Sequence, residues 1–116
     1  MEQAKQLVAS QRAFFYTGQT KNIENRIHAL QQLRQGIEKY QQRILDALHT
    51  DLNKSETEAY NSEIRIVLGE LDFALEHLKE WVAPRAVPTS AVIPDGTSTI
   101  YPEPYGVALI IAPWNY

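Results

Sequence analysis

Gly106-Val107-Ala108-Leu109-Ile110-Ile111-Ala112-Pro113-Trp114-Asn115-Tyr116 is the stretch whose reading decides the fold class. From Val107 to Ala112 the apolar residues follow one another without alternation, bounded by Gly106 and Pro113. A strand with one wet face alternates apolar and polar residues, whereas an unbroken short run suits a strand covered on both faces, as in a parallel sheet. A buried helical turn is the competing reading. The length of the run, its β-branched content and the flanking Gly and Pro favour the strand. A strand of that kind needs neighbours to pair its amide and carbonyl groups. Only one other short β-prone run exists, Thr97 to Tyr101, and Pro102 and Pro104 confine the chain just after it to an edge or a bend. The expectation is a truncated chain whose pairing strands come from residues beyond Tyr116.

Upstream the pattern is helical. Ala4, Leu7, Val8 and Phe15 recur at three- and four-residue spacing from Gln3 to Tyr16, and Gly18 stands where a left-handed C-terminal cap belongs. The period restarts at about Asn22 with Ile23, Ile27, Leu30, Leu33 and Ile37. Gly36 costs about 1 kcal/mol relative to alanine inside a helix, so one bend or short break is expected there before the pattern resumes through Tyr40, Ile44, Leu45, Leu48 and Leu52. Asp51-Leu52-Asn53-Lys54 is a stop, and Ser55-Glu56-Thr57-Glu58 has the form of a capping box. The helix that it opens carries Ile64, Val67, Leu68, Leu71, Leu75, Leu78 and Val82 along one stripe until Ala83-Pro84 ends it. Pro84 to Gly96 turns to Pro, Ser, Thr and Ala with a Pro94-Asp95-Gly96 turn, which reads as an extended linker with little structure. The fold class expected is mostly α, about four amphipathic helices followed by one or two β-strands. It divides into a helical region over 1–83, a linker over 84–96 and strand segments over 97–116.

Bulk composition narrows the function. A net charge of −3 and a charged fraction of 22% leave no basic excess to neutralise phosphates, so no nucleic-acid role is expected. No stretch approaches the roughly 18 apolar residues that a membrane span requires, and the start MEQAKQLVAS lacks a secretory pattern, which points to the cytoplasm. The absence of cysteine removes disulfides, thiolate metal sites and any cysteine nucleophile supplied by these residues. His28, His49 and His77 are too scattered for a helical metal pair, and no metal site is expected. Glu56, Glu58 and Glu63 cluster near a helix start, where capping and the helix dipole explain them. Phe14, Phe15 and Tyr16 read as a packing anchor.

The chemistry sits at the end of the apolar run. Ligands of open α/β sheets bind beyond the carboxyl ends of the strands, where loops and helix amino termini converge. A neutral amide at such an exit can donate hydrogen bonds into a site without bringing a competing charge. A plain turn, with Trp114 covering the sheet and Asn115 in a left-handed conformation, accounts for Pro113-Trp114-Asn115 on spacing alone.

The longer string Glu103-Pro104-Tyr105-Gly106 through Tyr116 tips the balance, because it resembles the segment with which aldehyde dehydrogenases enter their dinucleotide-binding domain. Arg26-Ile27, Ala47-Leu48 with Asp51-Leu52-Asn53-Lys54, Glu58-Ala59-Tyr60 and Glu80-Trp81 extend the resemblance to the class 3 branch. It implies the amino-terminal part of an α/β aldehyde dehydrogenase fold with a Rossmann-like cofactor domain, which the last strand enters. It also implies oxidation of a small-molecule aldehyde to its acid with NAD or NADP, through a cysteine thiohemiacetal, in a homodimer. By the same resemblance Asn115 is the catalytic oxyanion donor, and Ile111, Ala112, Pro113 and Trp114 run beside the cofactor. Tyr116 faces the aldehyde, and Ile66 stands where a mammalian relative has tyrosine. The nucleophile, the glutamate base and the phosphate-binding turn would lie downstream, so the chain alone is expected to be inactive. A free-standing α-helical interaction module is the alternative; it explains the helical periodicity but leaves the buried-type strand unexplained.

Overall fold

The computed structural model describes residues 2–113. Helix α1, Glu2–Tyr16, ends as its cap residue requires. The Gly18 amide donates to the Phe15 carbonyl at 3.0 Å with φ at 79°, a left-handed conformation open to glycine at little steric cost. A single 3-10 turn follows at Gln19–Lys21. The Asn22 side-chain oxygen then accepts from the Glu24 and Asn25 amides at 2.9 and 3.2 Å, capping helix α2, Ile23–Lys39.

Gly36 does not break this helix. The Tyr40 amide still donates to the Gly36 carbonyl, and the interruption falls four residues beyond Gly36, at Tyr40 itself (φ −101°, ψ 10°). Hydrogen bonding around Gly36 is intact, so only a propensity cost of about 1 kcal/mol attaches to it, too little to select the break point. Helix α3, Gln41–Leu52, ends where Asn53 turns left-handed at φ 52° and its amide donates to the His49 carbonyl at 2.8 Å. The Ser55 hydroxyl then accepts from the Glu58 amide, one half of the expected capping box.

Beyond this cap runs a single helical stretch in three parts: α4 at Glu56–Ala59, a π turn at Tyr60–Ile64, and α5 at Arg65–Trp81. The apolar periodicity alone does not predict the π turn. Its cause lies in the core, where Leu45, Ala59 and Ile64 form the buried cluster, with Ile37, Ile44, Leu48, Tyr60 and Leu68 packed against it. Ala59 and Ile64 are five apart, and at 3.6 residues per turn an α-helix would point them about 140° away from each other. Widening the ladder to i→i+5, as in the Arg65 amide bond to the Tyr60 carbonyl, returns both to one face. The Ser62 hydroxyl donates to the Glu58 carbonyl at 2.8 Å, and the Lys54 ammonium reaches the Ser62 hydroxyl and the Glu63 carboxylate, tying the widened turn to the preceding loop.

Residues 26–81, which contain this cluster, are one compact unit. Within it Arg34 of α2 binds Asp72 of α5, with Nε to Oδ1 at 2.7 Å, and also Glu38 at 2.6 Å. The hydrogen bond from Arg34 lowers the Asp72 carboxyl below its ordinary range. A carboxyl depressed on folding adds stability above its unfolded value, and that stability is lost as pH falls through the folded one. Asp72→Asn is therefore expected to lower the unfolding midpoint at pH 7, with the deficit closing towards pH 3. Midpoints at the two pH values test this, and an undiminished deficit at pH 3 would count against the pair. Added salt is expected to shrink the effect too, because the pair is exposed.

The second unit joins residues 1–25 to 82–116. Among its described residues, strand β1, Arg85–Val87, pairs antiparallel with β2, Ser98–Ile100, placing Arg85 opposite Ile100 and Val87 opposite Ser98. The β2 run was expected; β1 lies inside the stretch read as a linker. Among the described residues Val107–Ala112 form no strand; this is the run whose partner strands were expected from beyond Tyr116. Leu109, Ile110 and Ile111 are 81–88% exposed. The physical reason is that a doubly covered strand exists only beside partner strands, and none pairs with these residues among those described. The class itself holds: among the described residues, four helical runs and two short strands make the chain mostly helical.

Candidate functional site

The segment that leads to the Pro-Trp-Asn motif is held at two points within the second unit. Beyond β2, Glu103 accepts from the Lys21 ammonium at 2.7 Å. The 3-10 turn after Gly18 is what brings Lys21 to this position. Both partners are largely exposed, so the pair contributes at most about 1 kcal/mol and serves chiefly to fix direction. Three residues on, Gly106 takes φ 104°, a conformation that an L side chain adopts only with strain. A Cβ at Gly106 would stand 3.6 Å from the Phe15 ring, which thus packs over the glycine. Of the aromatic trio expected to anchor α1, Phe15 has this contact. Phe14 and Tyr16 are 50% and 76% exposed, and the Phe15 and Tyr16 rings meet edge to face at 6.0 Å.

Past this anchor, Ile111, Ala112 and Pro113 are exposed and belong to no regular element. They carry no charge. Trp114, Asn115 and Tyr116, the remaining residues assigned to the site from sequence, lie outside the described residues. The structure thus describes the approach to the motif and three of the residues assigned to the site, Ile111, Ala112 and Pro113.

Four of the other polar groups singled out have local partners. His49 Nδ1 lies 3.0 Å from the Lys54 carbonyl oxygen at the end of α3, and His77 Nδ1 lies 2.9 Å from the carbonyl oxygen of Phe73, one turn back on α5. His77 also clusters with Phe73 and Trp81, its ring centroid 4.2 and 6.0 Å from theirs while Phe73 and Trp81 meet each other at 5.7 Å. Glu63 pairs with Lys54, and the backbone of Glu58 belongs to the Ser55 cap. Two contacts were invisible to periodicity. Lys21 and Glu103 stand 82 residues apart, and Arg34 and Asp72 stand 38 apart. No local pattern encodes such pairs; the sole sequence hint was that each is a charge of opposite sign.

Comparison with known proteins extends beyond the described residues. The whole chain, residues 1–116, matches the model of the aldehyde dehydrogenase family. Over 105 residues it is 45% identical to the 4,4'-diaponeurosporen-aldehyde dehydrogenase of Staphylococcus aureus, covering 90% of this chain and 23% of that protein. Over 116 residues it is 35% identical to the Canis lupus familiaris protein named "Aldehyde dehydrogenase, dimeric NADP-preferring", covering 100% of this chain and 26% of that one. Among solved structures, "Substrate bound state of Staphylococcus Aureus AldH" matches with a TM-score of 0.83 at 39% identity, covering 88% of this chain and 22% of that chain. The chain spans about a quarter of the length of these relatives.

Proposed function

The chain belongs to the aldehyde dehydrogenase family, and from that premise we propose that the polypeptide carrying it oxidises an aldehyde to its carboxylic acid with NAD or NADP. The observation that carries the proposal is the Glu103–Tyr116 string, lying inside a family match that covers every residue of the chain.

Ile111, Ala112 and Pro113 fit a nicotinamide cofactor in kind. They offer exposed apolar side chains and a backbone outside any regular element, a surface suited to packing along a flat ring with hydrogen bonds from the main chain. With Trp114 they are the residues assigned to hold it. NAD or NADP, when bound, supplies the hydride acceptor.

Asn115 donates from its side-chain amide to the aldehyde oxygen as that oxygen gains negative charge. A neutral donor serves here because it stabilises the developing charge and brings none of its own. Tyr116 flanks the aldehyde. The attacking thiolate must come from a cysteine outside these 116 residues, which contain none, and we assign the base for thioester hydrolysis to a glutamate outside them as well. These residues by themselves are therefore inactive. A dimer is the assembly we propose, supported by the name of the dog relative.

The test measures reduced nicotinamide formed by the full polypeptide with NAD and with NADP, across short and long aliphatic and aromatic aldehydes. One reduced cofactor and one carboxylic acid per aldehyde consumed is the expected result. Failure to reduce either cofactor with any aldehyde class would overturn the proposal.

A further inference from the structure

We propose that the Tyr60–Ile64 π turn is a register adaptor: it stores one residue more than an α-helix needs, so that α4 and α5 present their apolar residues to one core despite the extra residue. The argument starts from burial. Ala59 is 0% exposed and Ile64 3%, and both contact the cluster around Leu45. Removing one residue between them would leave them four apart, the spacing at which a plain α-helix puts two side chains on one face. The wide turn and a one-residue deletion are thus two ways to the same register. Asn61, exposed and second in the turn, is the residue to remove.

The rest of the run has no such slack. From Arg65 to Trp81 the helix is regular, with Leu71 buried and Leu68, Leu75 and Leu78 partly so. Losing any residue there turns everything after it by about 100° relative to Ala59 and Ile64. Glu70, exposed and one residue before Leu71, is the matched control. Its deletion swings Leu71, Leu75 and Leu78 off the face that carries Ile64 and Leu68.

An offset in the sequence points the same way. The α5 stripe extended backwards by threes and fours from Ile64 lands on Tyr60, which packs partly buried against the cluster, and on Asn61, but misses Ala59, which the core buries fully. The contacts at the turn fit an adaptor in place. Ser62 takes up the Glu58 carbonyl, and Lys54 binds the Ser62 hydroxyl and the Glu63 carboxylate, so the widened ladder is braced by side chains.

The experiment compares two single-residue deletions in the full polypeptide, read by soluble yield and thermal unfolding midpoint. Deleting Asn61 is expected to give soluble protein with a midpoint within about 4 °C of the parent. Deleting Glu70 is expected to abolish soluble, cooperatively unfolding protein. Amide exchange along α5 in the Asn61 deletion supplies the second reading, with protection at Leu68, Leu71 and Leu75 kept within about threefold of the parent. Equal failure of both deletions, equal tolerance of both, or lost protection in the Asn61 deletion would each overturn the proposal.

Discussion

Replacing Asn115 by alanine in the full polypeptide is expected to lower kcat for aldehyde oxidation by about 100- to 1000-fold, or roughly 3 to 4 kcal/mol of transition-state stabilisation. The loss falls on kcat because the amide is assigned to an oxygen that is nearly neutral in the bound aldehyde and negative only once the carbon is attacked. KM should move little, and the unfolding midpoint should stay at the parent value. Asn115→Asp should do no better than alanine, since a carboxylate offers no donor and opposes the developing charge. Steady-state kinetics with a saturating cofactor would decide the matter. A variant retaining half of the parent kcat would remove Asn115 from the catalytic role and return Pro113-Trp114-Asn115 to a simple turn.

Among single substitutions, Leu45→Ala carries the largest expected effect on stability, about 2 to 5 kcal/mol. Leu45 is 4% exposed and meets Ala59, which is fully buried and has only a methyl group with which to refill the space. A cavity whose walls cannot collapse retains more of its cost, so the upper half of that range is expected. Leu52, on the same helix but 61% exposed, is the control, and its alanine variant should shift stability by no more than about 0.5 kcal/mol. Denaturant midpoints of the two variants, measured beside the parent, separate packing from helix propensity. Similar shifts for both would show that the Leu45 cluster does not hold this unit together.

Most helix ends were legible before any coordinates because their causes are local. Gly18 and Asn53 take left-handed caps, Asn22 and Ser55 accept amide hydrogen bonds, and each belongs to a residue type that suits the task. The break near the end of α2 is placed at Gly36 by propensity and occurs at Tyr40, since a cost of about 1 kcal/mol is too small to choose the position. Strand β1 escapes a sequence reading for a similar reason. Arg85–Val87 has no alternating pattern long enough to announce it and exists by pairing with Ser98–Ile100.

A terminal strand fully paired within this chain would have supported a free-standing interaction module. Leu109, Ile110 and Ile111 stand open instead, unpaired by any described residue. That arrangement, together with the family match, favours the dehydrogenase reading.

The Val107–Ala112 run shows where each level of information ends. By itself the amino-acid sequence determined the helical periods, the caps and the family, because these depend on neighbours within a few residues and on a distinctive string of side chains. It also announced an apolar segment built for burial, but burial is a relation between distant parts of a structure. Only the tertiary arrangement decided that this segment pairs with no described residue, that Phe15 packs over Gly106 with Lys21 on Glu103, and that a π turn brings Ala59 and Ile64 into one core. Each of those outcomes depends on groups far apart in sequence, or on a register that a one-residue change would shift by about 100°.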